Sequence, residues 1–195
     1  LFADRNVDRF IFGWEMPASM TQFFNPFFII LFGSIFSVMW VKLSKIGKNP
    51  SIPLKFCFGI VQLALGFLLT QVGFQFVNEA YQVPILTLVF LYMLHTTGEL
   101  FLSPIGLSMV TKLSPKSMAG TAMGAWFLSF AIANYVGGKI AALTGGHGGG
   151  EVSSAEDGLL QYLDTFATIG YVLLAIAALI FVLNKPIQKL MHGVE

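Results

Sequence analysis

Apolar and polar positions along this chain alternate in blocks, not residue by residue. Five runs, 17–41, 54–77, 84–110, 117–143 and 162–183, are apolar almost all the way round. Each exceeds the roughly 20 residues a helix needs to cross the hydrocarbon of a bilayer, and a helix without a polar side has nothing to turn toward water. The pattern predicts an all-α membrane protein of five transmembrane helices. Pro17 suits the start of the first helix and Trp40 its far interface. Pro26, in an otherwise helical stretch, predicts an interrupted backbone hydrogen bond in the interior of that helix.

The polar blocks between the runs order the chain across the membrane. Residues 1–16 carry Asp4, Arg5, Asp8, Arg9 and Glu15 and end at Trp14, which reads as a loop closing on an interfacial aromatic. Lys42, Lys45, Lys48 and Lys55 surround the first turn, Lys112 and Lys116 the third, and Lys185 and Lys189 follow the last helix, which Asn184, Lys185 and Pro186 stop. These basic blocks fall on one side when crossings alternate, so that side and the C-terminus are expected in the cytoplasm. The opposite blocks, 1–16, 78–83 and 145–161, are acidic or balanced. A first residue on the outer face implies that something upstream delivered it there, and the chain reads as a piece of something longer.

Composition agrees with the membrane as solvent. Of 195 residues, 55% are hydrophobic, 11% charged and 20 are Phe, with a mean hydropathy of +0.75. A soluble domain carries about a quarter charged residues. A net charge of +1 without a clustered basic face gives no case for nucleic acid. The one cysteine, Cys57, allows no internal disulfide and reads as a packing residue.

Within the third run lies Glu99. An ionisable group at membrane depth is rare, normally faces a bundle interior or a wet cavity, and marks a transport path or proton site. The plainer alternative is a carboxylate at a helix end or one paired with a basic residue of another helix. Ser103 shares its face one turn on, and Pro104 removes a backbone donor beside it. Asn25 brings an amide that hydrocarbon cannot satisfy, leaving a packing contact and a substrate contact both open. Trp126 falls in mid-run rather than at an interface, as a pocket wall or a buried packing residue. Gln62 and Gln71 read as hydrogen-bond partners between helices, and Gly120 and Gly124 predict close helix packing. The Gly145–Gly150 stretch lacks the Lys-Ser/Thr of a phosphate loop, and His147 alone is a weak metal candidate. No Ser/His/Asp set or metal-spaced cluster points to an enzyme.

The runs Phe24-Asn25-Pro26-Phe27-Phe28-Ile29-Ile30, Gly98-Glu99-Leu100, Leu102-Ser103-Pro104-Ile105-Gly106-Leu107-Ser108-Met109-Val110-Thr111-Lys112 and Met123-Gly124-Ala125-Trp126-Phe127-Leu128 resemble the proton-dependent oligopeptide transporter family of the major facilitator superfamily. The resemblance implies that the five runs are helices eight to twelve of the major facilitator fold, a C-terminal six-helix bundle at 17–195 lacking most of helix seven, with 1–16 as the extracytoplasmic loop after that helix. It implies a multi-pass protein of the cell (inner) membrane in which protons, with no cofactor or metal, drive symport of di- and tripeptides by alternating access. The N-terminal six-helix bundle of the same transporter is then the partner, and this chain alone is expected not to transport. Glu99 and Asn25 would hold the peptide's amino end, Ser103 would add a hydroxyl, and Trp126 would wall a side-chain pocket; Glu99 would also couple protons or gate closure by pairing with the other bundle. The alternatives are a symporter of another small solute in the same family, or a small non-transporting membrane subunit.

Overall fold

The structure, a computed structural model, describes residues 2–144 and 154–191. The glycine stretch with His147, Glu151 and the end of the tail with His192 lie outside them. Six helices, α1 (Phe2–Arg5), α2 (Phe24–Lys45), α3 (Ile52–Phe74), α4 (Ile85–Leu113), α5 (Ala119–Thr144) and α6 (Ala155–Leu190), carry most of the chain. A 3-10 helix, Ala18–Phe23, runs directly into α2. Pro26 thus sits in the first turn of α2, just past the change from 3-10 to α geometry, and not in a helix interior as its place in the apolar run suggested.

Four helical stretches are long and apolar enough to cross a membrane: Ala18–Lys45, Ile52–Phe74, Ile85–Leu113 and Ala155–Leu190. The fifth long helix, α5, has the length at 26 residues, but Asn134, Lys139 and four glycines dilute its apolar character. The last helix is longer than its apolar core. Ser154 caps it by accepting from the Asp157 backbone N–H at 3.1 Å, while the Asp157 carboxylate meets the Ser154 hydroxyl at 2.8 Å, a reciprocal cap that starts the helix at Ala155 rather than Tyr162. It also passes through Pro186 to Leu190. At about 1.5 Å per residue its 36 residues extend well beyond a bilayer of about 30 Å.

Helix α3 lies between α4 and α6. Its Gly59, Gly66 and Gly73 recur every seven residues along the side that faces α4. A Cβ at Gly98 of α4 would stand 2.7 Å from the Gly59 carbonyl, and one at Gly59 would stand 2.9 Å from that of Gly98. The two backbones therefore touch, as small residues permit when no hydrophobic drive separates helix from lipid. Gln71 donates to the Leu163 carbonyl of α6 at 2.8 Å, an interhelical bond, but Gln62 turns back on its own helix to Phe58. Helix α2 leans on α4 through Phe36 and Trp40, both edge-on to Phe101 at 5.1 Å.

Residues 2–16 form a clasp and not an open loop. A two-residue strand, β1 (Val7–Asp8), pairs in parallel with β4 (Val83–Pro84) just before α4, and two further short strands, β2 (Phe10–Ile11) and β3 (Trp14–Glu15), make a hairpin. Asn6, 1% exposed, donates to the carbonyls of Tyr81 and Ala155, each at 3.2 Å. Phe2, Val7, Val83, Leu88, Leu159, Tyr162 and Leu163 close a buried core beneath it. Arg9 balances the local acids, meeting Glu15 at 3.0 Å and Asp4 at 3.6 Å.

Candidate functional site

Tyr92, His95, Thr96, Glu99, Ser103 and Gly106 recur at three- and four-residue steps along α4, which puts them on one face of the helix. Each neighbouring helix reaches that face differently. Helix α3 takes its flank through Gly98 and Leu102, against Gly59. Helix α2 touches it near one end, where Asn25 Nδ2 donates to Thr96 Oγ1 at 3.2 Å and Phe24 lies 6.1 Å from the ring of Tyr92. Helix α5 touches it near the other, where the indole of Trp126 rests on Gly106 beside Phe56 of α3; a Cβ at Gly106 would come within 2.7 Å of Trp126 Cζ2. From Thr96 to Gly106 the face rises about 15 Å.

Glu99 lies between these two contacts and is exposed. Among the described residues it has no hydrogen-bond or ion-pair partner. Ser103 is half-buried one turn further on, and Pro104 beside it leaves the Leu100 carbonyl without its helical donor. The arrangement is a short row of oxygen acceptors on an otherwise apolar helix.

The fold therefore sets Asn25 one turn from Glu99 through Thr96, keeps Ser103 on the same stripe, and seats Trp126 at its far end. Among the described residues no hydrogen bond or ion pair joins the four to one another. Asn25 makes the contact with a neighbouring helix that its plainer reading foresaw, and Trp126 is a packing residue at the α4–α5 contact whichever further surface it walls. Asn134, on the same helix as Trp126, bonds among the described residues to the Phe130 carbonyl of its own helix at 2.9 Å. The tight packing expected at Gly120 and Gly124 is absent, with nothing within 4 Å of either added Cβ.

Two polar residues of this face escaped the sequence reading. Thr96 is fully buried at 0% exposure, and its place three residues before Glu99 was the available signal. His95 packs its ring on Phe67 at 4.5 Å and over Gly66 of α3, is hydrogen-bonded to the Leu63 backbone, and leaves Nε2 buried without a partner. It borders a cavity of about 500 Å³ that Thr21, Gln22, Tyr92 and Phe166 also line. Among the described residues, no group of three or more His, Cys, Asp or Glu side chains could hold a metal.

Comparison with known proteins gives this geometry a context. The dipeptide and tripeptide permease A of Edwardsiella piscicida is 35% identical over 98% of this chain and 38% of its own length. Among solved structures, a peptide transporter POT in complex with sulfate superimposes with a TM-score of 0.81 at 31% identity, over 98% of this chain and 36% of that one. A POT family transporter in complex with a thioalcohol-conjugated peptide gives a TM-score of 0.77 at 28% identity, over 95% of this chain and 36% of that one. The chain thus spans little more than a third of the length of the proteins it matches. Residues 1–149 match the POT family (PTR2), and with the helices, the lone carboxylate on α4 and the relatives in agreement, the chain is a membrane protein of the POT family.

Proposed function

We propose that these helices form the C-terminal part of a proton-coupled symporter of di- and tripeptides, working by alternating access with an N-terminal six-helix bundle of the same transporter. The observation that carries this reading is Glu99, exposed and unpaired among the described residues on a face that also presents Asn25 and Ser103. A carboxylate placed inside a spanning segment is stable only beside water, a ligand or a partner charge. A peptide ammonium supplies the charge, and the 15 Å row suits the length: three extended residues reach about 10 Å.

The chemistry then follows from charge. The Glu99 carboxylate attracts the ammonium, and the amide of Asn25 and the hydroxyl of Ser103 accept its remaining protons. Protonation of Glu99 removes the attraction, so proton entry and peptide release are linked through one group. Trp126, held on Gly106, offers its ring to the first side chain of the peptide. The coupling ion is the proton and no cofactor is required. With Lys42, Lys45, Lys48, Lys112 and Lys116 on the cytoplasmic side of the cell (inner) membrane, the C-terminus is cytoplasmic and the clasp faces outward.

Uptake of a labelled dipeptide into liposomes by the full-length transporter, driven by an imposed proton gradient, tests this with Glu99→Gln alongside. The substitution keeps the shape and removes the titrating group, so driven uptake should fall by tenfold or more, an estimate of the order of one charge-assisted hydrogen bond. Unchanged uptake with an unchanged pH profile removes Glu99 from the mechanism.

A further inference from the structure

We propose that the hairpin β2–β3 is an aromatic anchor seated among the lipid head groups where α2 enters the membrane, and that it fastens the clasp to that surface. The inference rests on the membrane reading alone and is independent of the solute carried. Between Phe10–Ile11 and Trp14–Glu15 the chain reverses in two residues, Phe12 at φ +50° and Gly13 at φ +83°. Both lie in the left-handed region, as a two-residue hairpin turn requires, and asparagine, aspartate or glycine ordinarily stands at the first position. A bulky residue pays a steric cost there. Phe12 gains no burial in return, because its side chain is 105% exposed. A strained backbone that holds a bare phenyl ring outward is spent on something beyond the described chain.

Depth and shape decide what that is. The spanning stretch Ala18–Lys45, six residues of 3-10 helix followed by 22 of α2, is about 45 Å long, which matches a bilayer of about 40–45 Å with its head groups included. Ala18 therefore stands at head-group level. The base of the hairpin closes two residues earlier, where the Met16 N–H donates to the Arg9 carbonyl at 3.0 Å and the Arg9 guanidinium donates to the Met16 carbonyl at 2.6 Å, and the tip is only about 10–13 Å further on. Phe10 is paired with Glu15 and Ile11 with Trp14, so Phe10 lies on one face of the ribbon and Trp14 on the other, with Phe12 at the tip. Phe10 is 64% exposed and Trp14 52%. A single protein surface covers one face of such a ribbon, whereas a fluid head-group layer surrounds both, and it is the layer in which tryptophan settles. The anchor acts on several helices at once: the clasp joins the entry of α2 at Pro17, that of α4 through β1 and β4, and that of α6 through the bond from Asn6 to the Ala155 carbonyl.

The test reads the Trp14 indole in the full-length transporter, held in nanodiscs of phosphatidylethanolamine and phosphatidylglycerol. Its emission is the difference between the parent and Trp14→Phe, with Trp14→Tyr as the blank should the first variant not fold. Lipid brominated near the head-group end of its acyl chains should quench that emission by roughly half, and iodide in the water only slightly. Phe12→Asn removes the ring and leaves the Asn-Gly pair that this turn prefers, so the hairpin persists. Quenching by the lipid should then fall roughly twofold or more, as a phenyl ring no longer holds the tip in the layer, and quenching by iodide should rise. Phe12→Tyr should keep the parental pattern. Absence of lipid quenching in the parent overturns the proposal, whether iodide reaches the indole, as in a hairpin standing in water, or does not, as in one covered by another part of the protein. Lipid quenching that Phe12→Asn leaves unchanged overturns it as well, since the strained tip then holds nothing.

Discussion

Helix α3 places Gly59, Gly66 and Gly73 seven residues apart, each under a backbone or side chain of α4, whereas Gly120, Gly124, Gly137 and Gly138 of α5 have nothing within 4 Å of an added Cβ. The two helices carry glycine in apolar sequences of similar length, but only one of them uses it to bring a neighbour close. Glycine in a spanning helix permits contact, and the partner decides whether contact occurs. The candidate site lies where these two regimes meet: Glu99 follows Gly98, which α3 holds at backbone distance, and stands on the same helix face as Gly106, on which the Trp126 indole of α5 rests. A rigid seam beside an open surface is a physically sensible place for a group that must bind and let go.

The contrast can be broken most directly at the seam. Gly98→Val puts side-chain atoms where the Gly59 carbonyl already stands 2.7 Å from an added Cβ, and backbone cannot step aside. A loss of stability on the order of 3 kcal/mol is expected, read as a lower unfolding midpoint in detergent. An intermediate effect is expected where the Trp126 indole of α5 rests on Gly106 of α4. Gly106→Ala pushes a methyl against the Trp126 ring, which can swing away because it is half-buried, so about 1 kcal/mol is lost and the tryptophan emission shifts. Gly124→Ala should be nearly silent or stabilise by up to about 1 kcal/mol through helix propensity alone. If it destabilises as much as Gly98→Val, the proposed difference between the helices is gone.

Much of this is readable from the residues in order, and the rest is hidden for two reasons, a local cap outside the apolar block and contacts between residues distant in the chain. The runs that became α2, α3 and α4 stand out because apolarity all round a helix needs no knowledge of its neighbours. Glu99 stands out because a charge in such a run is conspicuous anywhere. The start of α6 is hidden from the apolar pattern because Ser154 and Asp157 lie upstream of the apolar block, in a stretch that reads as an acidic connector although its local capping chemistry starts a helix. The spacing of Gly120 and Gly124 predicts a packing motif that Gly59, Gly66 and Gly73 supply instead, since spacing alone does not say which face meets another helix. Asn25 could be marked as an amide in need of a partner, but Thr96 is 71 positions away in the chain.

What the sequence determined by itself is the solvent: long runs without a polar side commit their backbone to helices in lipid, and Glu99, deep in one of them, commits the protein to a wet or charged place within that layer. What only the tertiary structure decided is orientation. Lipid-facing and protein-facing sides of such helices are equally apolar, so no amphipathic stripe declares which side turns inward. The approach of α3 to Gly98, the bond from Asn25 to Thr96, the seat of Trp126 on Gly106 and the folding of residues 2–16 into a clasp all depend on residues far apart in the chain meeting in space.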